Sequence, residues 1–232
     1  MKLIGSEGAS DGESDKDRIH STLEKLKADG NTRPLWIVLI GHGTWDGRSA
    51  NFNLVGEDVN AKEFNAWLDD FPRTIVFANC TSSSGPFINR LSGKNRVIVT
   101  ATKSGSEQNY ARFGEYFAAA FDTIEADLDH DDSVSVREAF LKAADDVDRF
   151  YKKQGRLTTE HALLDDNSDR KGSSIKLVRG TATVSGEGNV DGQLAGTIAI
   201  PTSVNTIRLS KEQIATRDRL ESELNALQKR FG

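Results

Sequence analysis

The amino-acid sequence predicts an α/β fold in which a mostly parallel sheet lies between two layers of helices. Two short apolar runs, Leu35–Ile40 and Thr74–Ala78, have the length and β-branched content of strands. Neither run alternates with polar residues, so we expect both strands to be buried on two faces. Between them, Asn60 and Glu63 have the spacing of a capping box, and aromatic residues follow at helical intervals. A strand, a helix and a second strand in this order predict a βαβ unit with parallel strands.

Further elements extend this unit on both sides. Arg96–Ala101 is a third apolar run of strand length, and Pro86 suits the first position of a short helix that ends near Leu91. Apolar residues at helical spacing, with local start and stop signals, predict further helices over Asp17–Asp29, Tyr110–Ile124, Val136–Lys152 and Thr158–Leu164.

The composition changes after residue 179. Thr181–Val184 and Leu194–Ile200 are β-branched runs separated by Gly-rich turns, and they predict a small hairpin or arm. Ser210 begins a capped amphipathic helix. We therefore divide the chain into an α/β domain, a Gly-rich β segment and a C-terminal helix, with the boundaries 1–179, 180–208 and 209–232.

Length and composition indicate a globular protein with one full core. The chain has 232 residues, of which 37% are hydrophobic and 28% are charged. A net charge of −5 argues against nucleic acid as a partner. No apolar run reaches the roughly 18–20 residues needed to cross a membrane, and Met1–Ile4 is too short for the core of a signal peptide. We expect a soluble protein, and its single cysteine excludes an internal disulfide without choosing a compartment.

A histidine and the single cysteine follow the two strands of the βαβ unit. His42 comes two residues after the first predicted strand, and Cys80 comes two residues after the second. In a right-handed crossover both side chains leave the carboxyl edge of the sheet, where open α/β sheets place their ligands. An imidazolium stabilises a thiolate, which is the nucleophilic form of cysteine. Gly43 allows close backbone approach, and its N–H would form an oxyanion hole together with that of Cys80.

A hydrophobic run followed by His-Gly, and a second run followed by Cys, resembles the caspase–hemoglobinase cysteine peptidases. The residues around Cys80, Asn-Cys-Thr-Ser-Ser-Ser-Gly, and the later run Arg96–Ala101 are most similar to the legumain-like branch and its bacterial relatives. The resemblance covers approximately residues 35–172. It implies a caspase-like sheet, a catalytic dyad of His42 and Cys80, and a peptide or protein as substrate.

The chain departs from this family before its first strand. Caspase-like domains carry a strand–helix–strand unit there, whereas this sequence retains at most the end of one strand at Lys2–Ile4. A sheet without this unit exposes unpaired backbone groups. We therefore expect an N-terminal fragment or a partner chain to complete the sheet.

The loop after the third strand is a candidate for substrate recognition. In the enzymes that this chain resembles, that loop helps to form the pocket for the residue before the scissile bond. Glu107 would favour Arg or Lys in the substrate, and Lys103 would favour an acidic residue or pair with Glu107. Ser82 is expected to line the cleft. His161 is the rival of His42 as catalytic base, and the sequence gives it no position at a strand end.

Residues 127–138 match a calcium-binding loop of the EF-hand type, with a predicted helix on each side. Asp132 replaces the usual glycine, but an aspartate can adopt the left-handed conformation that the turn needs, at some cost. A second acidic turn, Asp165–Asp169, has no Glu at the last loop position, so it is interpreted as an ordinary Ser/Asp turn. The expected calcium ligands are Asp127, Asp129, Asp131, Ser133 and Glu138.

These patterns predict a cysteine endopeptidase with Ca²⁺ as a structural cofactor and no cofactor for the chemical step. Cys80 would attack the peptide carbonyl, and His42 would protonate the leaving amine and then activate water. The alternative is a catalytically silent peptidase-like scaffold or a calcium-dependent interaction module. A third hypothesis is a transpeptidase, since an acyl-enzyme can react with an amine instead of water.

Overall fold

The computed structural model describes residues 2–5, 12–179 and 190–201, together with the single residues 212, 216, 219, 220 and 223. In chain order the strands are β1 (Leu35–Leu39), β2 (Gly43–Trp45), β3 (Ala50–Phe52), β4 (Val59–Asn60), β5 (Ile75–Asn79), β6 (Arg96–Thr100), β7 (Ser133–Ser135), β8 (Leu163–Asp165), β9 (Ser173–Ser174) and β10 (Ala199–Pro201). The helices are α1 (Asp15–Lys27), α2 (Ala61–Trp67), α3 (Pro86–Leu91), α4 (Phe113–Ala120), α5 (Val136–Lys153), α6 (Ile175–Val178) and α7 (Gln193–Gly196), and Ile124–Ala126 is a 3₁₀ turn.

The central sheet has five strands in the order β1-β5-β6-β8-β9. β1, β5 and β6 are parallel to one another, β8 pairs antiparallel with β6, and β9 pairs antiparallel with β8. Leu39 pairs with Asn79, and Asn79 pairs with Thr100, so the three parallel strands end at the same level. The predicted α/β class and the predicted parallel βαβ unit are therefore confirmed.

Helices pack on both faces of this sheet because successive side chains of a strand point to opposite faces, where they join two separate apolar clusters. Val76 and Ala78 of β5 belong to one cluster with residues of α4 and α5. Ile75 and Phe77 belong to the other cluster with residues of α1, α2 and α3. β5 and β6 are buried on both faces, as their unbroken apolar runs predict.

β1 differs from the prediction because it lies at the edge of the sheet. Val38 is 47% exposed, and in the described part of the chain no strand pairs with the free side of β1. The predicted burial on two faces is therefore wrong for this strand. Residues Lys2–Ile4 do not form a strand either, and the Lys2 ammonium donates to the Thr22 hydroxyl on α1.

Three further expectations fail where a distant contact decides the local structure. Thr158–Leu164 is not a helix, since it leads into β8, which pairs with β6. Leu194–Ile200 divides between α7 and β10, and β10 pairs with β7. The helix predicted from Tyr110 starts only at Phe113, where the buried Glu160 carboxylate accepts the backbone N–H groups of Arg112 and Phe113.

The remaining expectations for the C-terminal part fall mostly outside the described residues. This holds for Thr181–Val184 and for most of the helix predicted from Ser210. The few residues described in that helix, such as Thr216 and Leu220, are helical. Within the described residues, no helix has the length and apolar character needed to span a membrane.

The predicted capping box at the start of α2 is confirmed and supplies a first testable prediction. The Asn60 side chain accepts the N–H groups of Lys62 and Glu63, and the Glu63 carboxylate accepts the Asn60 N–H. Asn60→Ala is expected to lower the free energy of unfolding by about 1 kcal/mol, because backbone donors at the helix start lose their acceptor. Urea denaturation measures the change. The matched control Lys62→Ala, at an exposed position of the same turn, should remain within about 0.5 kcal/mol of the wild type.

Candidate active site and calcium-binding loop

The two candidate catalytic residues lie at one rim of the sheet. β1 and β5 are adjacent and parallel, and their last residues, Leu39 and Asn79, are paired. Cys80 follows β5 directly, and its N–H donates to the Leu39 carbonyl at 3.0 Å. His42 follows the end of β1 in an exposed position. Both residues therefore leave the carboxyl edge of neighbouring parallel strands, which is the placement that the βαβ pattern predicts.

The loops after β1 and β5 are joined by contacts between Gly43 and Ser82. The Ser82 hydroxyl donates to the Gly43 carbonyl at 3.0 Å, and the Gly43 N–H donates to the same hydroxyl at 3.4 Å. A Cβ atom at Gly43 would lie 2.2 Å from the Ser82 carbonyl oxygen and 2.5 Å from the Thr81 hydroxyl, so only glycine permits this approach. Ser82 is buried, and it holds the two loops together instead of lining an open cleft.

The next serines join the loop after β5 to the loop after β6. The Ser83 N–H donates to the Glu107 carbonyl at 2.9 Å, and the Ser83 hydroxyl donates to the Gly105 carbonyl at 3.0 Å. The Ser84 and Thr102 hydroxyls lie 3.1 Å apart and share a hydrogen bond. The run of serines after Cys80 therefore organises the rim through buried hydrogen bonds.

The Cys80 thiol is covered in this conformation. Its residue is 8% exposed and belongs to the apolar cluster formed with α4 and α5. A Cβ atom at Gly114, in the first turn of α4, would lie 2.6 Å from the Cys80 Cβ and 3.1 Å from its Sγ. Burial raises the pKa of Cys80 to about 12, so the thiol is protonated at neutral pH. Within the described chain, no hydrogen bond joins the His42 and Cys80 side chains.

Glu107, the predicted pocket charge, is bonded to its neighbours. Its carboxylate accepts the Lys103 N–H at 2.9 Å and the His161 N–H at 3.1 Å. The Lys103 ammonium lies 3.7 Å from one carboxylate oxygen, and the His161 Nδ1 lies 2.6 Å from the same oxygen. Of the two predicted arrangements, pairing between Lys103 and Glu107 is the one observed, so Glu107 does not present an unpaired charge to a substrate.

His161 reaches the same rim, which sequence reasoning missed. β8 runs antiparallel to β6, and Leu163 pairs with Thr100, so the residues before β8 lie at the carboxyl end of β6. A histidine two residues before a strand reaches this edge only if the strand is antiparallel. The only local signal for this strand is the short run Leu163–Asp165. It contains no β-branched residue, so from sequence alone it resembles the end of a helix.

A cavity begins at this rim and continues between α5 and α6. Its volume is about 670 Å³, and its lining includes Lys103, Phe113, Asp148, Glu160 and His161. Cys80 and His42 are not among the lining residues. The cavity therefore adjoins the part of the rim formed by β6 and β8, beside the candidate dyad.

The residues predicted to bind calcium form a compact loop. One carboxylate oxygen each of Asp127, Asp129 and Asp131 lies within 4.8 Å of the others. Asp132 takes φ = +68°, the left-handed conformation that the missing glycine would otherwise supply. Burial raises the pKa of Asp129, and the negative charges of Glu138, Asp131 and Asp127 raise it further. Three oxygen ligands in this arrangement fit a hard cation.

Glu138, the predicted last ligand, is bonded to the loop itself. One of its oxygens accepts the Leu128 N–H at 2.8 Å, and the other accepts the Ser135 N–H at 2.8 Å and the Ser135 hydroxyl at 2.7 Å. These bonds also complete a capping box at the start of α5. The Ser133 hydroxyl donates to the Asp131 carboxylate at 2.6 Å. In this structure Glu138 and Ser133 therefore stabilise the loop, and the three aspartates supply its gathered oxygens.

A scan against protein-family models and a search of curated proteins found no match to this chain. Its function is therefore inferred from the geometry of its own residues.

Proposed function

We propose that the chain is a cysteine endopeptidase with a His42–Cys80 dyad, on a three-layer caspase-like domain of the legumain type. The observation that carries the proposal is the pairing of Leu39 with Asn79. Because β1 and β5 are adjacent, parallel and level at their ends, an imidazole and a thiol leave the same edge of the sheet. Helices on both faces of the sheet support the three-layer arrangement.

In this proposal the Cys80 sulfur attacks the carbonyl carbon of a peptide bond and forms an acyl-enzyme as the carbon–nitrogen bond breaks. His42 takes the thiol proton and gives it to the leaving amine, and it then removes a proton from the water that hydrolyses the acyl-enzyme. The Gly43 N–H is the more available oxyanion donor, since its 3.4 Å contact with Ser82 is longer than the 3.0 Å bond of the Cys80 N–H.

The buried thiol sets a condition on this mechanism. A thiol with a pKa of about 12 is almost entirely protonated at neutral pH, and the first turn of α4 covers it at Gly114. Substrate attack therefore requires a conformation in which Cys80 turns toward His42 or the start of α4 moves away. The described structure corresponds to a closed form of the proposed enzyme.

The same burial favours the second candidate function, a catalytically silent scaffold. An inert thiol packed in an apolar cluster needs no partner, and Cys80 has the burial of such a residue. A scaffold would act through its calcium loop and its exposed surfaces. The two functions differ in the chemical reactivity of a single sulfur atom.

Thiol alkylation separates the two functions. We expect iodoacetamide to modify the folded protein at pH 7 at a rate at least equal to that of the urea-unfolded chain, because an opened dyad lowers the pKa of Cys80 below that of a free cysteine. A closed, silent thiol would instead react slowly at pH 7, and its rate would rise by about tenfold per pH unit up to pH 10. That second profile, together with no cleavage of a peptide library by the same protein, would contradict the peptidase proposal.

A peptide library digested by the purified protein provides the direct measurement of activity. Mass spectrometry of the products identifies the cleavage residue and separates hydrolysis from transfer to an amine, which is the transpeptidase alternative. Prior treatment with iodoacetamide should remove the cleavage.

Calcium and a completing strand belong to the same proposal. Ca²⁺ would be held by Asp127, Asp129 and Asp131, and it would supply charge neutralisation that fixes α5 without joining the chemical step. The free edge of β1, with Val38 exposed, would pair with a strand from an N-terminal fragment or a partner chain.

A further inference from the structure

A second loop has the backbone conformation of the candidate calcium loop. We call residues 127–138 the first loop and residues 165–176 the second loop. At the fourth and sixth positions of each loop the backbone is left-handed, which non-glycine residues rarely adopt. The φ values are +57° for His130 and +68° for Asp132 in the first loop, and +68° for Ser168 and +66° for Arg170 in the second.

The second loop also places oxygen atoms at the positions that bind calcium. Asp165, Asn167 and Asp169 stand at its first, third and fifth positions, as Asp127, Asp129 and Asp131 do in the first loop. The Asp169 carboxylate accepts the Lys171 N–H at 2.7 Å, just as Asp131 accepts the Ser133 N–H at 2.9 Å. Each loop then enters a short strand and a helix.

Asp165 supplies an independent observation that points to a ligand. The residue is 1% exposed, and among the described residues neither of its carboxylate oxygens has a hydrogen-bond partner. Burial raises the pKa of Asp165, the nearby Ser92 hydroxyl and Ser168 N–H lower it, and the charge of Asp169 raises it. Ser168 and Asp169 of the second loop are therefore close enough to this carboxylate to shift its pKa. A buried carboxylate without a partner is destabilising, because its charge has lost water without gaining another partner.

We propose that the second loop is a further Ca²⁺ site, with oxygens of Asp165, Asn167 and Asp169 as ligands and Asp165 as the buried anchor. A cation at this point gives both orphaned oxygens of Asp165 a partner. Lys176 occupies the twelfth position, where the first loop has Glu138, so the second site has one carboxylate fewer and binds Ca²⁺ more weakly than a full EF-hand loop.

The second loop is connected to the first through residues 190–201. The Asp191 carboxylate accepts the N–H groups of Asp166 and Asn167, and the Asp166 carboxylate accepts those of Gly192 and Ala195. The same segment ends in β10, which pairs with β7 inside the first loop. Calcium in the second loop would therefore stabilise the segment that braces the first loop.

The test uses the full chain and CaCl₂, with native mass spectrometry and equilibrium dialysis to count bound ions. We expect two Ca²⁺ ions per wild-type chain, one for Asp165→Asn and none for Asp165→Asn combined with Asp129→Asn. Asp129→Asn alone reports on the first loop. If Asp129→Asn binds as many Ca²⁺ ions as the wild type while Asp165→Asn binds fewer, the first loop does not bind calcium and the proposed site in the second loop is supported.

A thermal measurement keeps the inference testable independently of ion counting. Without calcium, Asp165→Asn should raise Tm, because asparagine has nearly the same shape as aspartate but carries no charge that must be buried without a partner. With CaCl₂, the same variant should lose part of the calcium-dependent rise in Tm. The exposed Asp169→Asn serves as the second variant, since it also removes a ligand without disturbing the core.

Two results would overturn the inference. The first is an unchanged calcium count in both Asp165→Asn and Asp169→Asn. The second is equal displacement of this ion by MgCl₂ at the same concentration, which indicates general attraction to an acidic surface instead of a built calcium site. Neither result depends on peptide cleavage, so failure of this inference and failure of the peptidase proposal are distinguishable.

Discussion

Cys80→Ala is expected to reduce peptide cleavage by a factor of about 10³ or more, because the variant lacks the sulfur that attacks the peptide carbonyl in the proposed reaction. The Cys80 side chain is small and packed, and alanine removes only the sulfur atom from the apolar cluster. The variant should therefore fold with a Tm within a few degrees of the wild type. Initial rates on the best library peptide, measured with protein of known folded fraction, give the comparison.

Histidine variants test the second member of the dyad. His42→Ala should reduce cleavage strongly, whereas His20→Ala, at an exposed position on α1, should leave it unchanged. His161→Ala examines the rival at the rim, since its ring lies 2.6 Å from Glu107 and not against the thiol. Cleavage that persists in Cys80→Ala, or that depends on His161 and not on His42, would refute the proposed dyad.

The parts of the fold that depend on local sequence were predictable. The capping box of Asn60 and Glu63 and the proline at the first position of α3 fix helix starts through contacts within a few residues. The uninterrupted apolar runs of β5 and β6 also predicted central strands, because a strand that is buried on both faces needs apolar residues at successive positions. The order of His42 and Cys80 along the βαβ unit then placed both at one edge without any knowledge of distant residues.

The parts that failed depend on contacts between distant segments. The exposed side of β1 follows from the absence of a neighbouring strand among the described residues, which no pattern within Leu35–Leu39 records. The cover over Cys80 comes from Gly114, which lies in a helix later in the chain. The direction of β8, which brings His161 to the rim, is set by its pairing with β6. Apolar periodicity carries none of this information.

For the second loop, the sequence rule and the buried Asp165 carboxylate lead to different interpretations. The absence of an acidic residue at position twelve argued for an ordinary turn at Asp165–Asp169, and that criterion concerns only the number of ligands. The buried, unpartnered Asp165 carboxylate is visible only in three dimensions. Its energetic cost, and not its sequence spacing, is the reason to expect a cation.

Gly43→Ala is expected to destabilise the protein by about 1–3 kcal/mol, because its Cβ would lie 2.2 Å from the carbonyl oxygen of Ser82. That oxygen belongs to the backbone, so the clash is relieved only if the two loops separate. For a chain of this size the expected fall in Tm is roughly 2–4 °C per kcal/mol. The control is Gly93→Ala, where the nearest heavy atom would lie 3.7 Å from the new Cβ and little change is expected.

The same variant distinguishes a contact that positions the dyad from one that only stabilises the fold. If Gly43 and Ser82 hold His42 beside Cys80, kcat/KM of Gly43→Ala should fall by more than the loss of folded protein explains, even at temperatures well below its Tm. A proportional loss would show that the contact acts on stability alone. Equal Tm values for Gly43→Ala and Gly93→Ala would contradict the close approach of the two strand-end loops, on which the proposed active site depends.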